Sequence, residues 1–152
     1  MRTRLLFSLV AVLMTASISL ADREERLRAE LPPLVEKYFD MHYPFARITA
    51  VARKVEQGEE HFEIQSRDYG QQRTVLFKSN GAVLRTRVTM PGSDLPLFVS
   101  ENIRGAHPRA RIRQVTKDFH WTGITYEILI RDRDRTTQRL NVTFDGRVAG
   151  TS

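Results

Sequence analysis

"HYPFARITAV", residues 42–51, and "AHPRARIRQV", residues 106–115, both spell Pro-x-Ala-Arg-Ile-x-x-Val, 64 residues apart. Extended without a gap, the same shift matches 12 of the 38 positions from Leu31 to Asp68, among them Leu31, Pro32, Val35, Pro44, Glu63 and Ile64. Chance alone gives about two such matches, so the chain reads as one fold unit written twice.

Each copy opens on Leu-Pro, at 31–32 and 95–96. Proline suits a first helical turn because the N–H it lacks has no acceptor there; Asp94 is the expected N-cap of the second helix. Leu34, Val35, Tyr38 and Phe39 in one copy, and Phe98, Val99 and Ile103 in the other, recur at helical spacing. Pro44 and Pro108 end these helices by disfavouring helical geometry in the residue before them. The period then changes to two. Phe62 and Ile64 alternate with polar neighbours, as do Tyr126, Ile128 and Ile130, then Val75 and Phe77, then Leu140, Val142 and Phe144. Asn80-Gly81 and Asp145-Gly146 supply tight reversals. The expected class is α+β: two tandem repeats, 31–88 and 95–150, of a short helix plus a four-stranded antiparallel sheet, with a connector at 89–94. Joined edge to edge they give one continuous eight-stranded sheet with both helices on one face and the other face wet.

Residues 1–21 place Arg2 and Arg4 before an apolar run and end on Ser19-Leu20-Ala21, the pattern of a cleavable export signal. The apolar run is short for a membrane span. The expectation is a periplasmic or secreted protein with an N-terminal segment at 22–30 and no membrane span after cleavage. The absence of cysteine excludes both disulfides and a lipid-modified cysteine. The formal charge of +6 falls to +4 without Arg2 and Arg4, and export argues against nucleic acid as a partner. The remaining charge is carried mainly by arginine, which pairs carboxylates and phosphates in two-point contacts.

A tandem helix-plus-four-strand unit that opens "LPPLVEKYFDMHYPFARI" and closes on a Phe followed by an Asn-Gly or Asp-Gly hairpin resembles the PepSY-like, beta-lactamase-inhibitor-like family. The likeness spans Leu31 to Gly150. It implies an exported, non-catalytic binding module, and in the inhibitors of similar architecture the sheet surface clamps another protein. Those inhibitors carry disulfides, which this chain lacks.

No nucleophile elbow, zinc-protease helix motif or phosphate-binding glycine loop is present. His42, His61, His107 and His120 lack the helical spacing of a metal pair, so no metal and no cofactor are expected. His61 reads as an ordinary surface histidine beside Glu59, Glu60 and Glu63. Trp121, the sole tryptophan, precedes Thr122-Gly123, a turn signal; it serves either as a partner anchor at a hairpin tip or as core. Tyr69 is a weaker candidate of the same kind. By strand parity Trp121, Arg111, Arg113, Glu127, Leu129 and Glu63 fall on or beside the open face and form the candidate site for another exported or envelope protein. "RARIR" places Arg109, Arg111 and Arg113 on one side of a strand, about 7 Å apart. That stripe either binds an anionic envelope ligand or pairs across strands with acids such as Glu127. "RDRDR", residues 131–135, reads as a water-facing hairpin without a ligand. A small enzyme remains a third reading, and it requires a closed pocket with convergent polar groups.

Overall fold

The structure is a computed structural model that describes residues 19–151, so most of the segment read as an export signal lies outside the described residues. Helix α1 spans Leu20–Ala29 and α2 spans Pro33–His42. Four strands follow: β1 (Arg47–Glu56), β2 (Glu59–Asp68), β3 (Gln71–Lys78) and β4 (Val83–Met90). A 3-10 turn at Gly92–Asp94 leads to α3 (Leu97–Ala106), then to β5 (Arg111–His120), β6 (Gly123–Arg131), β7 (Thr137–Thr143) and β8 (Val148–Thr151). All eight strands form one open antiparallel sheet in sequence order. The middle is joined by β4 and β5, which pair from Arg85 opposite His120 to Met90 opposite Val115.

The helix starts follow from proline chemistry. Pro32 and Pro96 stand at the N-caps with extended backbone, and both helices stop one residue short of Tyr43 or His107, ahead of Pro44 and Pro108. Asp94 is not the cap of α3: it lies in the 3-10 turn, and its amide donates to the Pro91 carbonyl at 3.1 Å. The connector is shorter than 89–94, because Thr89 and Met90 continue β4 and find partners on β5.

Register decides which side the helices cover. One row across the ladder reads Ser66, Arg73, Val88, Lys117, Tyr126 and Val142, and the adjacent positions on the same side include Ile64, Val75, Ile128 and Leu140. Beneath α2, Val35 and Phe39 meet Ile48, Phe62, Ile64, Val75 and Phe77. Beneath α3, Val99 and Ile103 meet Val115, Tyr126, Ile128, Ile130, Leu140 and Val142. Each side chain of this size stabilises the fold by about 1.5–3 kcal/mol on burial. Because both clusters lie on one side of the sheet, its other side carries no helix.

The segment at 22–30 is not a bare tail. Helix α1 begins under a capping box in which the Ser19 hydroxyl accepts from the Asp22 amide at 3.1 Å, and the Asp22 carboxylate accepts from the Ser19 amide at 3.3 Å. Its Glu24 accepts the Ile48 amide at 3.2 Å, and Arg28 reaches Asp40 on α2 at 2.8 Å. The helix thus satisfies part of the outer edge of β1, where an unpaired strand is open to unwanted pairing. Cleavage after Ala21 would remove the Ser19 cap and the first two residues of α1.

The hairpins are docked on the helices as well as on the strands. Gly81 has φ +85°, and a Cβ there would collide with the Tyr38 ring, whereas Gly58, at φ +81°, has open space around it. Both glycines relieve the left-handed backbone cost of about 1–2 kcal/mol. Gly58→Ala should therefore cost about 1 kcal/mol and Gly81→Ala clearly more, the difference being the collision with α2. Urea unfolding of the two variants side by side measures it, and equal losses would show that the β3–β4 hairpin does not press on α2.

Candidate functional site

The uncovered side of the sheet is the candidate site. One of its rows runs Gln65, Thr74, Arg87, Asp118, Thr125 and Thr143, and the next runs Arg67, Gln72, Thr89, Thr116, Glu127 and Asn141. A polar concavity of ≈ 440 Å³ lies over β1 to β6 beside the bulge at Thr49, lined by residues such as Gln65, Thr74 and Thr116. The threonine hydroxyls offer donors and acceptors at low entropic cost when a partner covers them, and the longer glutamine amides at a higher one.

A chain of alternating charges crosses the β4–β5 seam into the second half of this face. The Arg85 Nε lies 2.9 and 3.0 Å from the two Asp118 oxygens, a forked contact. Arg87 approaches Asp118 at 3.7 Å and Glu127 at 3.2 Å, and Arg139 reaches Glu127 at 3.4 Å. Asp118 is only 5 % exposed, so its carboxylate depends on these arginines for compensation. The Asp118 hydrogen bond holds the Arg85 guanidinium pKa above its ordinary value against the opposing effect of burial. In the first half, Lys54 pairs with Glu63 at 2.6 Å. Toward the β1–β2 turn, Lys78 holds the Glu59 carboxyl below its usual range through a 3.0 Å hydrogen bond.

The candidate residues fall in three places. Glu63, Glu127 and Leu129 lie on the open face as strand parity predicts, with Leu129 half-buried between Gln114 and Arg139. Trp121 stands at the β5–β6 tip, 92 % exposed, which removes the core reading. Arg111 and Arg113 are at the far end of β5, about 30 Å from Trp121 at strand rise. The six residues therefore mark a broad surface and not one compact pocket.

Three readings need correction. Arg109, Arg111 and Arg113 line one concavity but are not an evenly spaced stripe on a single strand. Arg109 precedes the strand, and a bulge between Ile112 and Gln114 makes Arg113 the extra residue, so Gln114 follows Arg111 on the open side. Glu127 is not their cross-strand partner; it lies opposite Thr116 and is held by Arg87 and Arg139. His61 is not a surface histidine: it is 7 % exposed, with both ring nitrogens buried and unbonded, 3.9 Å from Glu56 and 3.7 Å from Glu59.

Sequence reasoning missed Arg85, Arg87 and Asp118, though the alternation of "RTRVT" at 85–89 was a signal for two of them. It also missed Phe45, which lies edge to face with Tyr69 at 6.3 Å. The two rings are 74 % and 87 % exposed at the end of the sheet opposite Trp121. Among the described residues no group of three His, Cys, Asp or Glu side chains is placed to hold a metal ion, and no helix is long and apolar enough to cross a membrane.

Asp118→Asn should destabilise the fold by about 1–3 kcal/mol, because it removes the charge that two guanidinium groups share on a face the helices do not support. A double-mutant cycle with Arg85→Ala measures the coupling. Additive losses would mean that the forked contact contributes nothing of its own.

No protein-family model matches the chain, and no curated protein is significantly similar to it. Solved structures do share its architecture. A protein of Bacteroides eggerthii, named provisionally as periplasmic, superposes with a TM-score of 0.65 at 13% identity, covering 80% of this chain and 88% of that one. A DUF2874 family protein of Bacteroides ovatus gives 0.63 at 18% identity over 80% and 86% of the two chains. A BLIP-like protein of Bacteroides fragilis gives 0.60 at 16% identity over 80% and 86%. At these identities the likeness is one of fold: the chain has the architecture of the DUF2874 and BLIP-like proteins.

Proposed function

We propose that this protein is an exported, non-catalytic module that binds another protein of the cell envelope through the open face of its sheet, in the manner of an inhibitor or regulator. The observation that carries the reading is the one-sidedness of the fold: both helices cover the same face, and the other presents a wide polar surface with exposed aromatic rings at both ends. Tryptophan and tyrosine bury much area for little entropy and, where a partner covers them, dominate many protein interfaces. The threonines, glutamines and ion pairs between them suit the polar, hydrogen-bonded part of a standard interface. A non-catalytic role is supported by the engagement of the site's charges with one another across an open surface, where a catalytic group needs a sheltered one.

Placement in the periplasm, or release from the cell, is supported by the signal-like N-terminus and by the provisional naming of the eggerthii neighbour. The inhibitor-like reading is supported by the BLIP-like neighbour's shared fold. The two halves are read as copies of one PepSY-like unit. In support, each runs helix then four strands, and each bulges at the same place in its first strand, between Ile48 and Ala50 and between Ile112 and Gln114.

Trp121→Ala should leave stability within about 0.5 kcal/mol, since the ring is in solvent, and weaken capture of an envelope partner by about 2 kcal/mol, roughly thirtyfold. The measurement is retention of cross-linked partners from an envelope extract by the wild-type chain and the variant, at low and moderate salt. A partner held equally well by Trp121→Ala and by an open-face Thr74→Arg/Thr116→Arg variant would locate binding elsewhere, and no retained partner at either salt would remove the reading.

A further inference from the structure

The end of the sheet farthest from Trp121 gathers six arginines. Arg109 before β5, Arg111 at its first position and Arg113 at its bulge meet Arg131 at the end of β6, and Arg133 and Arg135 in the β6–β7 hairpin, around a concavity of ≈ 310 Å³ that Asp132 also lines. Arg111 and Arg131 lie directly opposite each other in the ladder. Like charges so placed destabilise a sheet. Among the described residues no carboxylate lies within the 4.0 Å of an ion pair from any of the six. The two acids of the hairpin are occupied locally: Asp132 accepts from the Gln138 side chain at 3.4 Å, and Asp134 from the Thr136 amide at 3.0 Å.

The fold does not require this charge. The shift of 64 that aligns the two halves places Phe45, Thr49, Tyr69 and Gln71 at the positions of Arg109, Arg113, Arg133 and Arg135. The same strand starts and hairpin region are thus built in the first half with uncharged side chains, two of which form the Phe45–Tyr69 pair. Only Arg47 and Arg67 match, at the positions of Arg111 and Arg131. Arg135 also holds φ 70°, a conformation in which glycine would be cheaper. Four added arginines, one of them in a costly backbone geometry, thus surround two that already face each other.

We propose that this cluster is a binding site for a ligand bearing two or more closely spaced phosphate groups. Neighbouring strands hold their side chains about 5 Å apart, and successive same-side positions lie about 7 Å apart. Each phosphate presents several strong acceptor oxygens to planar two-point donors, so phosphates a few ångströms apart can each be shared by two guanidinium groups. Phosphate charge replaces the repulsion between them with attraction. The ligand is either a soluble condensed phosphate or the phosphorylated headgroup of a membrane lipid, which share this chemistry.

Calorimetric titration of the protein with inorganic tripolyphosphate at low salt should show saturable binding that weakens as salt rises, because exposed charges are screened over about 10 Å. Arg133→Ala/Arg135→Gly should lower affinity at least tenfold while leaving thermal stability equal or higher, since glycine relieves the positive φ. Arg23→Ala/Arg26→Ala, on exposed positions of α1, should change it less than twofold. Flotation with phosphatidylcholine vesicles, with and without phosphatidylinositol 4,5-bisphosphate, whose headgroup carries two adjacent phosphates, separates the sources. Binding to tripolyphosphate alone assigns a soluble ligand, and cluster-dependent binding to the acidic vesicles assigns a lipid headgroup. Binding to neither, or equal losses in the two double variants, overturns the proposal.

Discussion

Two ten-residue helices, α2 and α3, press on the same face of an eight-stranded sheet, and the rest of the molecule depends on that contact. Val35 and Phe39 on one, and Val99 and Ile103 on the other, are almost wholly buried. Their strand partners, from Phe62 to Val142, all point to one side of the ladder. Side chains alternate along a strand between bulges, so packing one parity beneath the helices leaves the other on the uncovered side. The polar face is the unavoidable complement of the core.

The two cores are separate clusters, and the strands between them are joined differently from the strands within them. On the helix side of the β4–β5 seam, Thr86, Val88 and Lys117 are only half-buried. On the open side the seam is crossed by Arg85, Asp118, Arg87 and Glu127. Apolar burial therefore holds each half, while backbone pairing and a network of charges bridge them. A network contributes more than isolated surface pairs, because each side chain ordered for one contact is already ordered for the next. Helix α1 handles the outer edge at β1 in a similar way, by placing Glu24 on the Ile48 amide.

The strand-start and hairpin ends of the two halves differ in chemistry. At matched positions the first half exposes Phe45 and Tyr69, and the second exposes Arg109 and Arg133. Neither set contributes to a buried cluster, so both are free to vary without disturbing the sheet. The opposite end carries Trp121 alone on its hairpin tip. The molecule thus offers a polar centre between an aromatic tip at one end and a mixed aromatic and cationic rim at the other.

Helices ending at Pro44 and Pro108, strands of period two and reversals at Asn80-Gly81 and Asp145-Gly146 were all legible in the chain, because proline, glycine and alternation act through local backbone geometry. So was the open-face position of Glu63, Glu127 and Leu129, which parity alone dictates. What local pattern could not convey was anything set by pairing between distant strands. The bulge at Arg113 interrupts the even spacing expected of three arginines on one strand, and only the partner strand reveals a bulge. Asp118 finds Arg85 and Arg87 across a seam 33 and 31 residues away along the chain, and "RDRDR" becomes part of a cluster only when β5 lies beside β6. The sequence alone determined where the helices stop, where the chain turns and which strand positions alternate, since those are matters of short-range sterics and solubility. The tertiary structure decided which charges meet, because that depends on register, and register is settled only when whole strands pack beneath their helices.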